Sequence, residues 1–251
     1  MSYELRLVKT ARDADAARRL AREALWLREL APVRSLEGQV PRLLDEGTDA
    51  NGSPYLVLGI PPLETTNRGE TRAFTGDHAR FLTGLGKARF RSTEFEHAGK
   101  CQWIQRSLPT DCPVLEESYE DCEKALLYWT GPYVLSQGDF APWNIRTLGS
   151  QLFVFDWGEA HADASPLDDV LHYLMIQRRL RTVPLLRRAM SRAHEFALSA
   201  YPEWSWRPKV IGALTLVYLL GVILHRRVNR ADPVVDAYWK LLEKRSAWMP
   251  S

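Results

Sequence analysis

The sequence predicts an α+β fold in two parts: a small sheet-containing part over residues 1–62 and a larger, mainly helical part over residues 63–251. Three observations carry this expectation. Tyr3, Leu5, Leu7 and Lys9 alternate onto one face of a strand. Leu43–Leu44 and Tyr55–Ile60 read as two further strands around a turn at Asp49-Ala-Asn-Gly52. Past Pro61–Pro62, most apolar residues recur at helical spacing.

Taken in order, the strand ending at Lys9 is followed by a helix from Asp13 to Leu30, rich in Ala, Leu and Arg. Pro32 and Pro41 bracket an irregular link before the two strands. Helices are expected over His78–Lys87 and Glu116–Trp129, and short apolar strands over Tyr133–Ser136 and Leu152–Phe155. Four further helices are expected: Leu167–Leu180, Leu185–Tyr201, Lys209–Arg227 and Val234–Trp248. The sequence carries no internal repeat and no low-complexity tail.

A chain of 251 residues can bury a real core, and 45% apolar with 25% charged residues is ordinary for a globular protein. The formal net charge of +2 sets up no field that would favour nucleic acid or an anionic membrane, so neither is expected as a partner. Cys101, Cys112 and Cys122 show neither C-x-x-C pairing nor zinc spacing, which points to reduced thiols and a cytoplasmic setting. The charged, alternating start does not read as a signal peptide. The uncharged run Val210–Leu224 has 15 residues, fewer than the roughly 20 a membrane span needs. It reads as a buried core helix.

The chemistry is concentrated between Gln137 and Gly158. Phosphoryl transfer asks little covalent help of a protein; it needs Mg²⁺ on the phosphates and a carboxylate to orient the acceptor hydroxyl. Asp139 follows a strand-like run and Asn144 lies five residues on, the D-x-x-x-x-N spacing that puts a hydroxyl-orienting Asp and a metal-binding Asn on one loop. A second apolar run, Leu152-Phe-Val-Phe, then delivers Asp156 ahead of Trp157 and Gly158, like the D-F-G element whose Asp holds Mg²⁺. Two β-turns with Asx hydrogen bonds would also use these residue types, but turn chemistry explains neither the spacing nor the shared strand context.

Lys9 points where Leu5 and Leu7 point, and an inward Lys needs a partner or a ligand. On the following helix Leu20, Ala24, Leu27 and Leu30 form an apolar stripe, and Glu23 falls within it. A Lys9–Glu23 ion pair satisfies both, whereas a snorkelling Lys and a solvated Glu would leave the two inward placements unrelated. The pair resembles the strand-Lys to helix-Glu pair of kinases.

These motifs resemble those of the aminoglycoside phosphotransferase and choline kinase-like family, whose signature is H-G-D-x-x-x-x-N followed by I-D-W/F. The resemblance covers most of the chain. It implies a protein kinase-like two-lobe fold, here with a truncated N-terminal lobe and a mainly helical C-terminal lobe. It further implies Asp139 as the catalytic Asp, Asn144 and Asp156 as metal ligands, and Lys9 with Glu23 at the nucleotide phosphates. The implied cofactors are ATP (or GTP) and Mg²⁺. Ala164-Ser-Pro-Leu-Asp-Asp169 resembles the family's D-P-x-x-D segment, which would make Asp169 the buried brace of the catalytic loop; an acid at a helix N-terminus is the equal alternative. Gln137 replaces the family's His. It offers a donor and an acceptor, as neutral His does, so altered loop support is expected rather than lost catalysis.

Kinases cover the phosphates with a Gly-rich hairpin ahead of this Lys. Eight residues precede Lys9, none is Gly, and no Walker A sequence replaces them; Gly84-Leu-Gly-Lys87 has the wrong spacing. Three readings fit: a start further upstream, a reduced kinase using Lys9, a hinge near Leu58–Ile60 and metal, or a kinase-like binding module. For the chain as given, the expectation is weak nucleotide affinity. The acceptor is expected to be a small hydroxylated molecule, aminoglycoside-, choline- or sugar-like. Glu159, Asp163, the Glu116–Glu123 segment, Trp143, Trp157 and Trp129 are candidate walls for it, against the ordinary reading of solvated acids and core tryptophans. His161 and His172 read as structural.

Overall fold

The alternating start forms β1, Leu5–Thr10, and the Ala/Leu/Arg-rich segment forms α1, Ala14–Leu30, opened by the Asp13 side chain, which accepts from the Ala16 N–H at 2.8 Å. There follow β2 (Arg42–Thr48), β3 (Pro54–Ile60), β4 (Asn67–Arg68), α2 (Gly76–Ala88), β5 (Phe90–Glu94), α3 (Gly99–Ser107), α4 (Pro113–Leu126) and β6 (Thr130–Ser136). Next come β7 (Ile145–Leu148), β8 (Gln151–Val154), β9 (His161–Ala164), α5 (Asp168–Ile176), α6 (Val183–Ala200), α7 (Pro208–His225) and α8 (Pro233–Glu243). This computed structural model describes residues 5–62, 67–68, 73–177 and 182–250. The α+β layout with small sheets and a helical C-terminal part is the one expected.

The chain divides into two compact units, one of residues 1–88 with 137–161, the other of residues 89–136 with 162–251. The expected break after residue 62 falls beside residues 63–66, which lie outside the described residues.

In the first unit, β3 is the centre of an antiparallel sheet of order β1-β3-β2. It buries Leu56, Leu58 and Ile60, and its register sets Lys9 opposite Leu56 and Leu7 opposite Leu58. The β2–β3 turn closes as its residues demand: Asp49 Oδ1 accepts from the N–H groups of Asn51 and Ser53, and Gly52 takes φ +81°. β2 is longer than the Leu43–Leu44 core suggested and carries a bulge between Leu43 and Asp45. α1 buries Leu20, Glu23, Ala24, Trp26, Leu27 and Leu30. A second sheet, of order β4-β7-β8, belongs to the same unit.

The second unit is built around α7. This helix is long and apolar enough to cross a membrane, but 78% of it is buried, packed by α3, α4, α5, α6 and α8. It is a core helix with no polar face, as its sequence suggested. Cys101 and Cys122 are buried there as free thiols, and Cys112 is also free. A sheet of order β5-β6-β9 completes the unit, which β9 enters at Ala162. β5 and β9 escape sequence reading because FRSTE and HADA lack an apolar alternation. α3 opens on Gly99 and spans 9 residues, too short to show a periodic stripe.

Several helices end earlier than periodicity indicated, α4 at Leu126 and α7 at His225 among them. α8 stops at Glu243, and a 3₁₀ turn over Arg245–Ala247 carries the chain to Trp248, whose Nε1 donates back to the Leu241 carbonyl at 2.9 Å. α5 ends at Ile176, and residues 178–180 of the expected Leu167–Leu180 helix lie outside the described residues.

Candidate active site

Lys9 and Glu23 meet. The strand parity of β1 turns Lys9 toward α1, where Glu23 is almost completely buried within the apolar stripe. Lys9 Nζ donates to both Glu23 oxygens, at 2.9 and 2.7 Å. Burial raises the Glu23 pKa above the ordinary carboxylate value, while the Lys9 charge opposes the rise. Lys9 Nζ also reaches Asp156 Oδ1 at 3.2 Å, so it bridges the helix and the candidate metal carboxylate.

A hairpin sets the remaining geometry. β7 and β8 pair antiparallel from Leu148↔Gln151, across a two-residue Gly149–Ser150 turn, to Ile145↔Val154. One step beyond the last rung, the Phe155 N–H donates to the Asn144 carbonyl at 2.8 Å. The apolar β8 buries Leu152, Phe153 and Val154, so its end is fixed by core packing. Asn144 and the residue preceding Asp156 are therefore held side by side at one end of a buried hairpin. The D-x-x-x-x-N loop closes on itself: Asn144 Nδ2 donates to Asp139 Oδ2 at 2.8 Å and to the Asp139 carbonyl at 2.9 Å. Because both bonds leave from Nδ2, Oδ1 is the atom left to meet a cation. The Asp156 carboxylate is 39% exposed. An amide oxygen and a carboxylate are hard donors that suit Mg²⁺. Asp156 stands at φ 56°, ψ 73°, a left-handed conformation uncommon outside glycine and frequent where function demands it.

Gln137 holds the loop to this turn. It is fully buried. Its Nε2 donates to the carbonyls of Phe155 at 2.9 Å and Asp156 at 2.6 Å, and its Oε1 accepts from the Asp139 N–H at 3.0 Å. Gly138, at φ +85°, presses against the segment after Asp156. A Cβ there would lie 2.3 Å from the Glu159 carbonyl oxygen. From the other side, α2 buries His78 and Phe81; Phe81 stacks on Phe140, beside Asp139, at 5.8 Å and 8°. His78 meets Phe140 edge-on at 6.0 Å, and burial pulls its imidazole down to about 4. Sequence reasoning missed both α2 residues, because an apolar helix face does not say which loop it supports.

α1 closes the unit. Trp26 Nε1 donates to the Ala160 carbonyl at 2.7 Å, and the Trp157 N–H reaches Glu23 Oε1 at 3.4 Å. Arg19 Nε pairs with Glu159 Oε1 at 3.0 Å, with Arg22 on the other carboxylate oxygen at 3.7 Å. A cleft of about 400 Å³ opens here, lined among others by Lys9, Thr10, Arg19, Glu23 and Asp156. Arg19 was also missed; its one sequence signal is a position four residues before Glu23, on the same helix face.

The other expected residues separate. Asp169 is buried in the second unit, where the Ser136 hydroxyl donates to its Oδ1 at 2.8 Å. Trp157 and Trp129 are core residues, and Trp157 Nε1 donates to the Val154 carbonyl at 3.1 Å. Trp143, within the Asp139–Asn144 loop, is 53% exposed. Glu159 is engaged by its two arginines, and Asp163 pairs with Arg91 at 3.1 Å in the second unit. His161 Nδ1 lies 3.0 Å from the Glu159 carbonyl and His172 Nδ1 3.4 Å from the Tyr218 hydroxyl.

The model of the family described as "Phosphotransferase enzyme family" matches residues 3–206. Among solved structures, the chain resembles the GDP complex of wild-type aminoglycoside 2'-phosphotransferase-IIIa, with a TM-score of 0.56 and 17% identity over 96% of this chain and 86% of that one. It also resembles a thermostable mutant of aminoglycoside phosphotransferase APH(4)-Ia in ternary complex with ADP and hygromycin B (TM-score 0.61, 13% identity, 98% and 87% covered). A third is a choline/ethanolamine kinase family protein from Mesorhizobium loti (TM-score 0.57, 20% identity, 98% and 83% covered). No curated protein matches the sequence. At these identities the likeness shows a shared fold, the protein kinase-like one.

Proposed function

The chain belongs to the phosphotransferase enzyme family, and from that premise we propose that it moves the terminal phosphate of ATP or GTP to a hydroxyl of a small molecule. The observation that carries this is the closed set in the first unit: Lys9 on Glu23 and Asp156, and Asn144 on Asp139. In this reading Asp139 orients the acceptor oxygen and takes its proton late. Asn144 Oδ1 and the Asp156 carboxylate hold Mg²⁺, which when bound neutralises charge on the phosphates. Lys9 contacts the phosphates and Glu23 fixes its position.

The acceptor class is an aminoglycoside-, choline- or sugar-like hydroxyl compound. Trp143 supports it: a half-exposed indole within the catalytic loop offers a face to a sugar ring or a cation. Domain use follows the same reading, with residues 1–62 and the loop from Gln137 to Gly158 serving the nucleotide.

The test is ADP or GDP release by the purified chain with Mg²⁺ and a panel of hydroxylated acceptors. Acceptor-dependent release is expected, and Asp139→Asn should abolish it while nucleotide binding survives. Nucleotide binding without release for any acceptor would instead make the chain a kinase-like binding module.

A further inference from the structure

We propose that Arg19 is a second phosphate-binding cation of this nucleotide site, exchanging its pairing with Glu159 for the phosphates. The inference rests on the phosphotransferase reading above and deepens it.

Lys9 alone is a neutralised cation. It already contacts two carboxylates, Glu23 at 2.7 Å and Asp156 at 3.2 Å. A nucleoside triphosphate with several negative charges needs more positive charge than that. Of the side chains lining the cleft, Arg19 is the other cation; of the two further carboxylates there, Asp13 caps α1 by accepting from the Ala16 N–H and Asp15 pairs with Arg18 at 2.9 Å. It stands one helical turn before Glu23, so α1 presents both to the same space.

The stem of Arg19 is fixed and its head is half open to water. Gly158, in the turn after Asp156, lets the helix approach so closely that a Cβ there would lie 3.2 Å from the Arg19 Cβ. The guanidinium springs from a set point beside the candidate metal carboxylate. Its pairing with Glu159 uses Nε, and the side chain is 45% exposed. An ion pair so open to water is weak and easily exchanged. Phosphate, by contrast, meets the guanidinium fork through two parallel charge-assisted bonds.

Glu159 does not need Arg19 to stay paired. Arg22 already sits 3.7 Å from its second oxygen and donates to the neighbouring Gly158 carbonyl at 3.4 Å. When Arg19 turns to a phosphate, Arg22 keeps the carboxylate neutralised. Two arginines on one carboxylate are redundant for holding a helix and sensible for an exchange.

The alternative is that Arg19 only clamps α1 to the turn through Glu159. Calorimetric titration of the full chain separates the two, with ATP, ADP, AMP and inorganic tripolyphosphate as probes at fixed Mg²⁺. Arg19→Ala should weaken ATP and tripolyphosphate by about tenfold, the worth of a charge-assisted contact. AMP should be unaffected. Glu159→Gln, which frees the guanidinium, should leave tripolyphosphate affinity unchanged or tighter. Should Arg19→Ala not fold, Arg19→Lys carries the test; it keeps charge and stem but loses the fork, and should still weaken tripolyphosphate. Unchanged tripolyphosphate and ATP affinity in the Arg19 variant overturns the proposal and leaves the phosphotransferase reading standing. So does an equal loss in Glu159→Gln, which would make the pair a clamp. A wild-type chain that binds neither ATP nor tripolyphosphate sinks the phosphotransferase reading and this inference together.

Discussion

Gln137 donates from Nε2 to the Asp156 carbonyl at 2.6 Å, and the same side chain accepts from the Asp139 N–H at 3.0 Å. One buried amide thus ties the loop of the candidate catalytic carboxylate to the turn of the candidate metal carboxylate. Gln137→Ala removes it and orphans buried backbone groups, at about 1–3 kcal/mol for each group left unsatisfied. The expected result is a lower midpoint of thermal unfolding and a turnover number down by an order of magnitude or more, with KM for nucleotide less affected. Gln137→His restores a donor and an acceptor and should recover most of the turnover.

Lys9→Met leaves Glu23 buried without its counter-charge. Breaking a buried pair costs about 3–5 kcal/mol, and the partial exposure of Lys9 places this case at or below the lower end. The pH dependence has a defined sign. Burial has already raised the Glu23 pKa, and Lys9 is the main influence lowering it. Without Lys9 the folded pKa rises further. The variant therefore keeps its stability below the ordinary glutamate range and loses it as pH climbs. Thermal unfolding at pH 5 and pH 8 should show the larger gap from wild type at pH 8. The double variant Lys9→Met/Glu23→Leu should regain stability but not nucleotide binding.

His78 works in the opposite direction. Its folded pKa is lowered to about 4 by burial, below that of the unfolded chain. The stability it contributes is full above about pH 6.5 and is lost as pH falls toward 4, by up to about 3 kcal/mol. His78→Asn keeps an acceptor for Thr75, whose N–H donates to Nδ1 at 3.2 Å. It should flatten the fall in unfolding midpoint between pH 7 and pH 5.

Gly138→Ala places a methyl 2.3 Å from the Glu159 carbonyl oxygen, at a φ of +85° that L-residues avoid. The backbone must move, and with it Asp139. A destabilisation of about 2 kcal/mol or more and near-complete loss of turnover are expected. Unchanged unfolding and turnover would mean that the loop has a second arrangement.

The sequence by itself determined what depends on short spacing. The period of β1 and α1 put Lys9 and Glu23 on inward faces. The five-residue step from Asp139 to Asn144 put carboxylate and amide on one loop. The apolar run ending at Phe155 delivered Asp156 at a strand end, and the charge-free stretch of α7 marked a core helix. Each is a local consequence of strand or helix repeat, so a window of a few residues contains it. What only the tertiary structure decided are pairings across long separations. Residues 137–161 join the unit of residues 1–88. Glu159 is paired with α1 through Arg19, and Asp169 is taken by Ser136. Three tryptophans alike in sequence divide into two buried ones and the exposed Trp143. The polar strands β5 and β9 exist only because β6 supplies a partner edge. No local pattern encodes these outcomes, because which surface covers a side chain is settled by the packing of elements far apart in the chain.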